Sequence, residues 1–550
     1  MKVLLVALNS KNIHKAPALW CLKAYCEKQN PTAAIALREF SINEPPGRLI
    51  GEIFRSGADV VSFSCYIWNI ELVNKIAPEV AKLLPGAHIV LGGPEVSFEN
   101  DFSSFPFAHF IIKGAGEEAF SALLQRIENR IAGEKQLIAA GERGYFSRYP
   151  SPYTEDYFQS FSQDMPIGRM LIYYESTRGC PFSCAYCLSS VSEGVQALPL
   201  ERVFADLRLL VERGAKCIKF VDRTFNANKA RAAEIFAFLE GLETGCAFHF
   251  EVAADLFDDA LLMLIAALPK GRAQFEIGIQ STNEQTLCAV SRKTDIDKAF
   301  RNIKRLVAMQ NCHVHVDLIA GLPYEVVETF AKAFDACFAV RPHMLQLGFL
   351  KLLKGSRLRD ESEGLSYLYS NFAPYEVLKS NAMGPDELLF LKEIEEVFDK
   401  FYNTGMFPNT IDFAAGRLFA SPFSLFGALA EFCRGKNIKL SLKYSYALLL
   451  EFLRERTGFE TAAHYIKLDC LTFDPKGMLP DAIPQNRRKD IERELRHSRG
   501  FRNVRAEYFE LDDALRVFVY DEKDRITKAH RVLLVDTNGE NKTGDAQDEL

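Results

Sequence analysis

Short apolar runs alternate with amphipathic segments twice over in this chain, and that rhythm constrains the fold more than any other feature. Residues 3–8 (VLLVAL), 60–64 (VVSFS), 88–93 (HIVLGG) and 107–114 (FAHFIIKG) read as buried strands, and 16–29 and 70–84 carry helical period. This alternation predicts a doubly wound, Rossmann-like parallel sheet over 1–135, within an α/β chain. Residues 136–165 are polar, with Pro and Gly, and read as a linker. A second series follows over 166–358, with strands at 170–175, 217–222, 247–253, 273–280, 313–321 and 344–351. Six βα units fall short of the eight of a closed barrel, so a partial, open (β/α)6 barrel is expected. Residues 359–536 read as a mainly helical C-terminal domain with a small terminal β element at 505–536. The polar stretch 537–550 is expected to be a disordered tail.

The chain has 550 residues and a net charge of −6, which provides no basic excess for long nucleic acid. The most basic segment, 487–505, alternates with acids and reads as a solvated helix face. No run approaches the ~18 apolar residues of a membrane span. The opening MKVLLVALNSKNIHKA reads as a first strand rather than a signal peptide. Thirteen cysteines without regular pairing suit a reducing, cytoplasmic setting, where clustered thiols mean metal or catalysis. Cys21, Cys26, Cys65, Cys217, Cys433 and Cys470 read as small buried hydrophobes.

The exception is ESTRGCPFSCAYCLSS, 175–190, which places Cys180, Cys184 and Cys187 within eight positions. Cubic iron–sulfur clusters are held by thiolates. Four thiolates would close every iron, whereas three leave one iron open for a small-molecule ligand. A zinc site normally takes four protein ligands, and no His or fourth Cys lies near this loop. The loop directly follows the first strand of the second series, at the end where barrels carry their sites.

Cys-x-x-x-Cys-x-aromatic-Cys, with Tyr186 as the aromatic, resembles the signature of the radical S-adenosylmethionine (SAM) superfamily. The resemblance extends over about 165–355 through FVDRTFNAN (220–228), EIGIQSTNEQTL (276–287) and DLIAGLPYE (317–325). It implies a [4Fe-4S] cluster on the three cysteines, SAM on the open iron, and reductive SAM cleavage to a 5′-deoxyadenosyl radical. It also implies SAM contacts from Tyr186, Asp222, Glu251, Gln280 and Ser281. Asp222, Glu251, Gln280 and Ser281 equally suit an internal polar network of the barrel. Gly321 would let the adenine approach the backbone, or simply make a turn.

The first domain resembles the cobalamin-binding domain that precedes the barrel in one large radical SAM class. The matching pieces are SCYIWN (64–69), LGGPEVS (91–97) and KGAGEEAF (113–120). The resemblance implies cobalamin contacts from Ser64, Tyr66, Trp68, Gly92, Gly93, Pro94, Gly114, Gly116 and Glu117. Trp68 would wall the pocket or pack in the core. Many such domains supply a cobalt-binding histidine from Asp-x-His-x-x-Gly; here Asn9, Lys11 and His14 stand where Asp, His and Gly would be. Cobalt is therefore expected to lack a histidine ligand from this loop.

Residues 371–407 resemble the uncharacterised C-terminal domain of a subset of these proteins, which would close the barrel mouth or serve as a packing appendage. The implied function is a cobalamin-dependent radical SAM enzyme methylating an unactivated carbon of a small-molecule or peptide substrate. Its electron donor would be of flavodoxin or ferredoxin type. Cyclisation or rearrangement without methyl transfer, and a non-catalytic cobalamin- or SAM-responsive iron–sulfur protein, are the alternatives. No residue type points to the group that would act on the substrate.

Overall fold

A computed structural model describes residues 1–140, 146–191, 194–535 and 541–545. The first unit is a six-stranded sheet in the order β2-β1-β3-β4-β5-β6, parallel throughout. Its strands are β1 Lys2–Asn9, β2 Ala34–Ser41, β3 Val60–Ser64, β4 His88–Gly92, β5 Phe110–Lys113 and β6 Gln136–Ala139. Both faces carry helices, so β1 and β3 are apolar almost without interruption. The order reverses between β1 and β3. Ligands of such sheets bind beyond the strand carboxyl ends at that switch point.

The linker expectation needs correction at its start, because β6 continues the first sheet and pairs with β5. The segment beyond β6 holds a short helix, Glu155–Gln159, whose Tyr157 is buried beneath Trp20 of the first unit. It is therefore packed into the junction between the two units.

The second unit is the open barrel expected. It contains β7 Ile172–Tyr174, β8 Cys217–Phe220, β9 Ala247–Val252, β10 Ala273–Gln280, β11 His313–Ala320 and β12 Met344–Phe349. Neighbours pair in parallel in chain order. Alternation along these strands separates two faces. Phe248, Phe250, Phe275, Ile277, Val314 and Val316 are fully buried in the main core. The alternate positions form a charged lumen, where Lys219 reaches Glu276 at 2.9 Å and Glu251 at 3.4 Å. His315 reaches Asp317 at 2.9 Å.

Each open edge of the barrel is covered by another unit. On the β7 side, Leu171 N–H donates to Ile13 O at 3.0 Å, making an isolated bridge between His14 and Leu171. On the β12 side, Lys351 bridges antiparallel to Glu376. The C-terminal unit is helical through 385–473 and ends in an antiparallel sheet of β13 Val504–Phe509, β14 Ala514–Lys523, β15 His530–Val535 and β16 Asn541–Asp545. The disordered-tail expectation is therefore corrected at 541–545, which pair with β15 and cover its edge; residues 537–540 and 546–550 lie outside the described residues.

Among the described residues no single helix is long and apolar enough to cross a membrane. Helices Pro408–Arg417 and Pro422–Cys433 approach that composition together, but they meet at 111° and bury Ile411, Leu425, Phe426 and Leu429 in the core.

Candidate functional site

The three cysteines lie on the loop after β7, at the carboxyl end of the barrel. All thirteen cysteines are free thiols. Backbone bonds on two sides hold the loop: Ala185 N–H donates to Val290 O, and Leu358 N–H donates to Ala185 O, each at 2.9 Å. Ala185 is 1% exposed and Cys184 8%, so the middle of the loop is anchored in the core rather than lying outside it as a free excursion. Cys180 Sγ is 3.7 Å from Thr224 Oγ1 after β8, and Cys187 Sγ accepts from Ser189 N–H at 3.4 Å. No three Cys, His, Asp or Glu side chains among the described residues are arranged to hold a metal ion.

Arg292, which sequence reasoning missed, lies half-buried beside the loop. Its Nη1 donates to Tyr186 Oη at 3.2 Å and lies 3.8 Å from Cys184 Sγ. Its Nη2 bonds Gly278 O, and its buried Nε has no partner. Burial works against the guanidinium charge, but Tyr186 and Cys184 outweigh it and hold the group charged. Its partners Tyr186, Cys184 and Gly278 carry no carboxylate, so an anionic group beside Cys184 fits the site electrostatically.

Gln280 sits where β10 bulges against β11, with φ +70°. A left-handed backbone is strained for glutamine and is a recurrent feature of functional sites. Its amide folds back over Gly278, where a Cβ would stand 2.0 Å from Gln280 Nε2. Gln280 Oε1 is buried without a partner. Glu251 is partly exposed in the lumen, with burial raising its pKa and Lys219 opposing the rise.

Three other expected SAM contacts have protein partners of their own. Asp222 is fully buried, and its two oxygens accept from Ser176 N–H (2.7 Å), Ser176 Oγ (2.6 Å) and Thr177 Oγ1 (2.7 Å). Burial pushes its pKa up to about 6 against these bonds. It fixes the start of the cysteine loop. Ser281 is likewise buried, donating to Glu325 and accepting from Asn283 N–H at 3.0 Å. Gly321, at φ +88°, is enclosed by Leu350, Val377 and Leu388, and its carbonyl accepts from Tyr367 at 2.9 Å.

In the first unit, Asn69 Nδ2 bonds Leu8 O (3.2 Å) and Ser64 O (2.9 Å), tying β1 to β3 at the switch point. Ser64 is buried. Tyr66 and Trp68 stack with centroids 4.3 Å apart and planes 7° apart. Trp68 is 46% exposed, so it is a surface of the cleft and not a core residue. Burial pushes Tyr66 up to about 12, with Arg223 and Glu175 of the barrel loops acting on it. Trp68 Nε1 donates to Leu8 O at 3.2 Å, which fixes the aromatic pair at the carboxyl end of β1. Gly93 has φ +110°, and a Cβ there would stand 2.6 Å from Cys65 O. Ser97 Oγ donates to Gly93 O (2.8 Å) and accepts from Gly114 N–H (3.1 Å), joining the two glycine loops beside Pro94. Gly116 begins the helix Gly116–Glu128, close to Leu22.

Glu117, expected to contact cobalamin, is 6% exposed and pairs with Arg178 of the cysteine loop at 2.9 Å. His14 is equally committed, with Nδ1 2.8 Å from Tyr173 Oη. The loop that would carry a cobalt-binding histidine is part of the barrel junction. Of the six cysteines read as small hydrophobes, Cys26, Cys65, Cys433 and Cys470 are buried, while Cys21 and Cys217 are half-buried.

Three family patterns divide the chain in the same way. Residues 3–124 match the B12 binding domain, 174–337 the radical SAM superfamily, and 364–540 a protein of unknown function (DUF4080). The chain is a B12-binding-domain radical SAM protein. The radical SAM domain implies a [4Fe-4S] cluster and SAM as cofactors of this protein, and the B12 domain implies cobalamin.

Among curated relatives, 2-(S-pantetheinyl)-carbapenam-3-carboxylate methyltransferase of Streptantibioticus cattleyicolor is 25% identical over 321 residues, 52% of this chain and 45% of that protein. The cobalamin-dependent radical SAM methyltransferase TokK of Streptomyces tokunonensis is 24% identical over 324 residues, 53% of this chain and 47% of its own. The chain thus spans a little under half the length of these relatives. Among solved structures, the radical SAM methyltransferase TsrM of Kitasatospora setae, bound to tryptophan and a SAM analogue, has a TM-score of 0.56 at 16% identity, covering 70% of this chain and 80% of its own. The cobalamin-dependent SAM radical enzyme OxsB with aqua-cobalamin has a TM-score of 0.56 at 14% identity, covering 90% and 81%. These radical SAM proteins share the fold.

Proposed function

We propose that this radical SAM protein is a cobalamin-dependent methyltransferase acting on an unactivated carbon of a small molecule or peptide. The observation that carries the reading is the facing of two loops. The three-cysteine loop and the aromatic and glycine-lined end of the B12-binding sheet meet at one junction, joined by Arg178 and Glu117. The relatives' methyltransferase names support the reaction class.

Cys180, Cys184 and Cys187 would hold the cluster. Arg292 and Gln280, each with a buried unpaired atom at the mouth, and Glu251 in the lumen would hold SAM with Tyr186. The cleft of Ser64, Tyr66, Trp68, Gly92, Gly93, Pro94, Gly114 and Gly116 would hold cobalamin, with no histidine from the β1 loop. When bound, the cluster and SAM supply one-electron chemistry and cobalamin carries the methyl group. The chain orients these partners and excludes water. Asp222 holds the cysteine loop to β8, and Ser281 with Glu325 holds the β10 end. A flavodoxin- or ferredoxin-type protein would supply electrons.

Anaerobic reconstitution with iron, sulfide and cobalamin tests the assignment. About one cluster and one corrinoid per chain are expected, with an electron paramagnetic resonance (EPR) signal of the reduced cluster that changes on adding SAM. Failure to retain a corrinoid, or indifference of the signal to SAM, would overturn it.

A further inference from the structure

The residues that begin the C-terminal unit touch both cofactor loops. Leu358 N–H donates to Ala185 O, in the middle of the cysteine loop. Tyr375 Oη donates to Glu95 Oε2 at 2.7 Å, one residue beyond Gly92-Gly93-Pro94. Both ends of that bond are buried, Glu95 at 2% exposure and Tyr375 at 5%. Between these anchors the segment is stiffened internally. Arg359 Nη1 bonds Leu352 O at 2.7 Å, and the guanidinium lies 4.7 Å from the Tyr375 ring centre. A second cross-link, Lys354 Nζ to Glu99 Oε1 at 2.8 Å, grips the far end of the glycine loop.

We infer that residues 354–376 form a positioning strap that fixes the glycine loop of the B12-binding sheet relative to the cysteine loop of the barrel. The inference rests on the cofactor placement proposed above. A domain that only filled space would have no need of a buried carboxylate. Burial of Glu95 is tolerated because Tyr375 supplies a donor, with Lys354 and Arg359 adding positive charge nearby. The bond is directional, so it specifies where the loop stands as well as holding it. Tyr375 and Glu95 are positioning residues, because each reaches a cofactor only through the loop that it holds.

The test is magnetic. In the reconstituted full chain, cobalt(II) and the reduced cluster are both paramagnetic, and each speeds the relaxation of the other according to their separation. The wild-type protein should show this relaxation enhancement. Tyr375→Phe removes the donor and leaves the ring; it should weaken the enhancement and raise the cobalamin dissociation constant ~10-fold. Lys354→Met, at a partly exposed site that spares the fold, should move both readouts in the same direction by less. A variant pair that folds, binds both cofactors and matches wild type in both readouts would overturn the strap. Wild-type protein without a corrinoid or a cluster would instead overturn the placement on which the strap depends.

Discussion

Arg178 and Glu117 form an ion pair at 2.9 Å across the junction of the two α/β units, and Arg178 stands two residues before the first cysteine of the cluster loop. The same guanidinium chelates Glu175, with Nε at 2.9 Å and Nη2 at 2.8 Å, and lies 4.5 Å from the Phe146 ring centre. One side chain thus joins the helix that follows the B12 glycine loop to the strand that precedes the cysteines. A pair this buried is only weakly screened by salt.

Glu117→Gln should therefore loosen the junction while leaving the cluster loop formed, because Glu175 still neutralises Arg178. A cost of about 1–2 kcal/mol is expected for the lost charge-assisted bond. Limited proteolysis between the units should speed up, and iron content should stay unchanged. An unaltered cleavage rate would contradict the role given to this pair.

Cys184→Ala should abolish iron retention without unfolding the barrel. The backbone of Ala185, bonded to Val290 and Leu358, holds the loop independently of any cluster. Removing one small buried group costs on the order of 1 kcal/mol. Iron analysis and circular dichroism on the same sample separate the two effects. Full iron content in the variant would exclude Cys184 as a ligand.

Arg292 supplies positive charge beside Cys184, and reduction adds an electron to a cluster there. Arg292→Met should lower the cluster's reduction potential by tens of millivolts, and Arg292→Lys should restore part of the shift. Potentiometric titration followed by EPR reads both. A potential unchanged in Arg292→Met would remove the residue from the cluster's surroundings.

Glu325 gives a pH signature. Burial pushes its pKa up to about 7 from the ordinary glutamate value of 4.5, against the Ser281 bond. The folded chain therefore holds a proton that the unfolded chain has lost over that window. The contribution to stability is complete below about pH 4.5 and disappears as pH rises through about 7. The difference is on the order of 3 kcal/mol. Glu325→Gln should flatten the fall in thermal midpoint between about pH 5 and about pH 8. Parallel profiles of variant and wild type would contradict a raised pKa.

The sequence makes the architecture legible because its strands announce themselves by period and its helices by amphipathicity. β2 is harder to recognise: AIALREFS places Arg38 and Glu39 in an edge strand that needs no continuous apolar face. β6, four residues long, falls in a stretch whose polarity suggests a linker. The cysteine loop is legible because its spacing is local. The roles of strand-end residues are not, because they depend on partners far along the chain. Asp222 bonds Ser176, 46 residues away, and Ser281 bonds Glu325, 44 residues away, partners that no local pattern announces. Nothing around Arg292 in VSRKT distinguishes it. Its significance comes from Cys184, 108 positions earlier. Glu95 and Tyr375 are 280 residues apart and meet only through the packing of all three units.

The most direct test of the account is product analysis. The fully reconstituted protein is reduced, given SAM, and followed by mass spectrometry. The account predicts 5′-deoxyadenosine together with S-adenosylhomocysteine, both lost in Cys184→Ala and the second lost when cobalamin is withheld. 5′-Deoxyadenosine alone, with cobalamin bound, would place the chain among radical enzymes that transfer no methyl group. Neither product, with cluster, SAM and cobalamin all demonstrably bound, would contradict the catalytic reading.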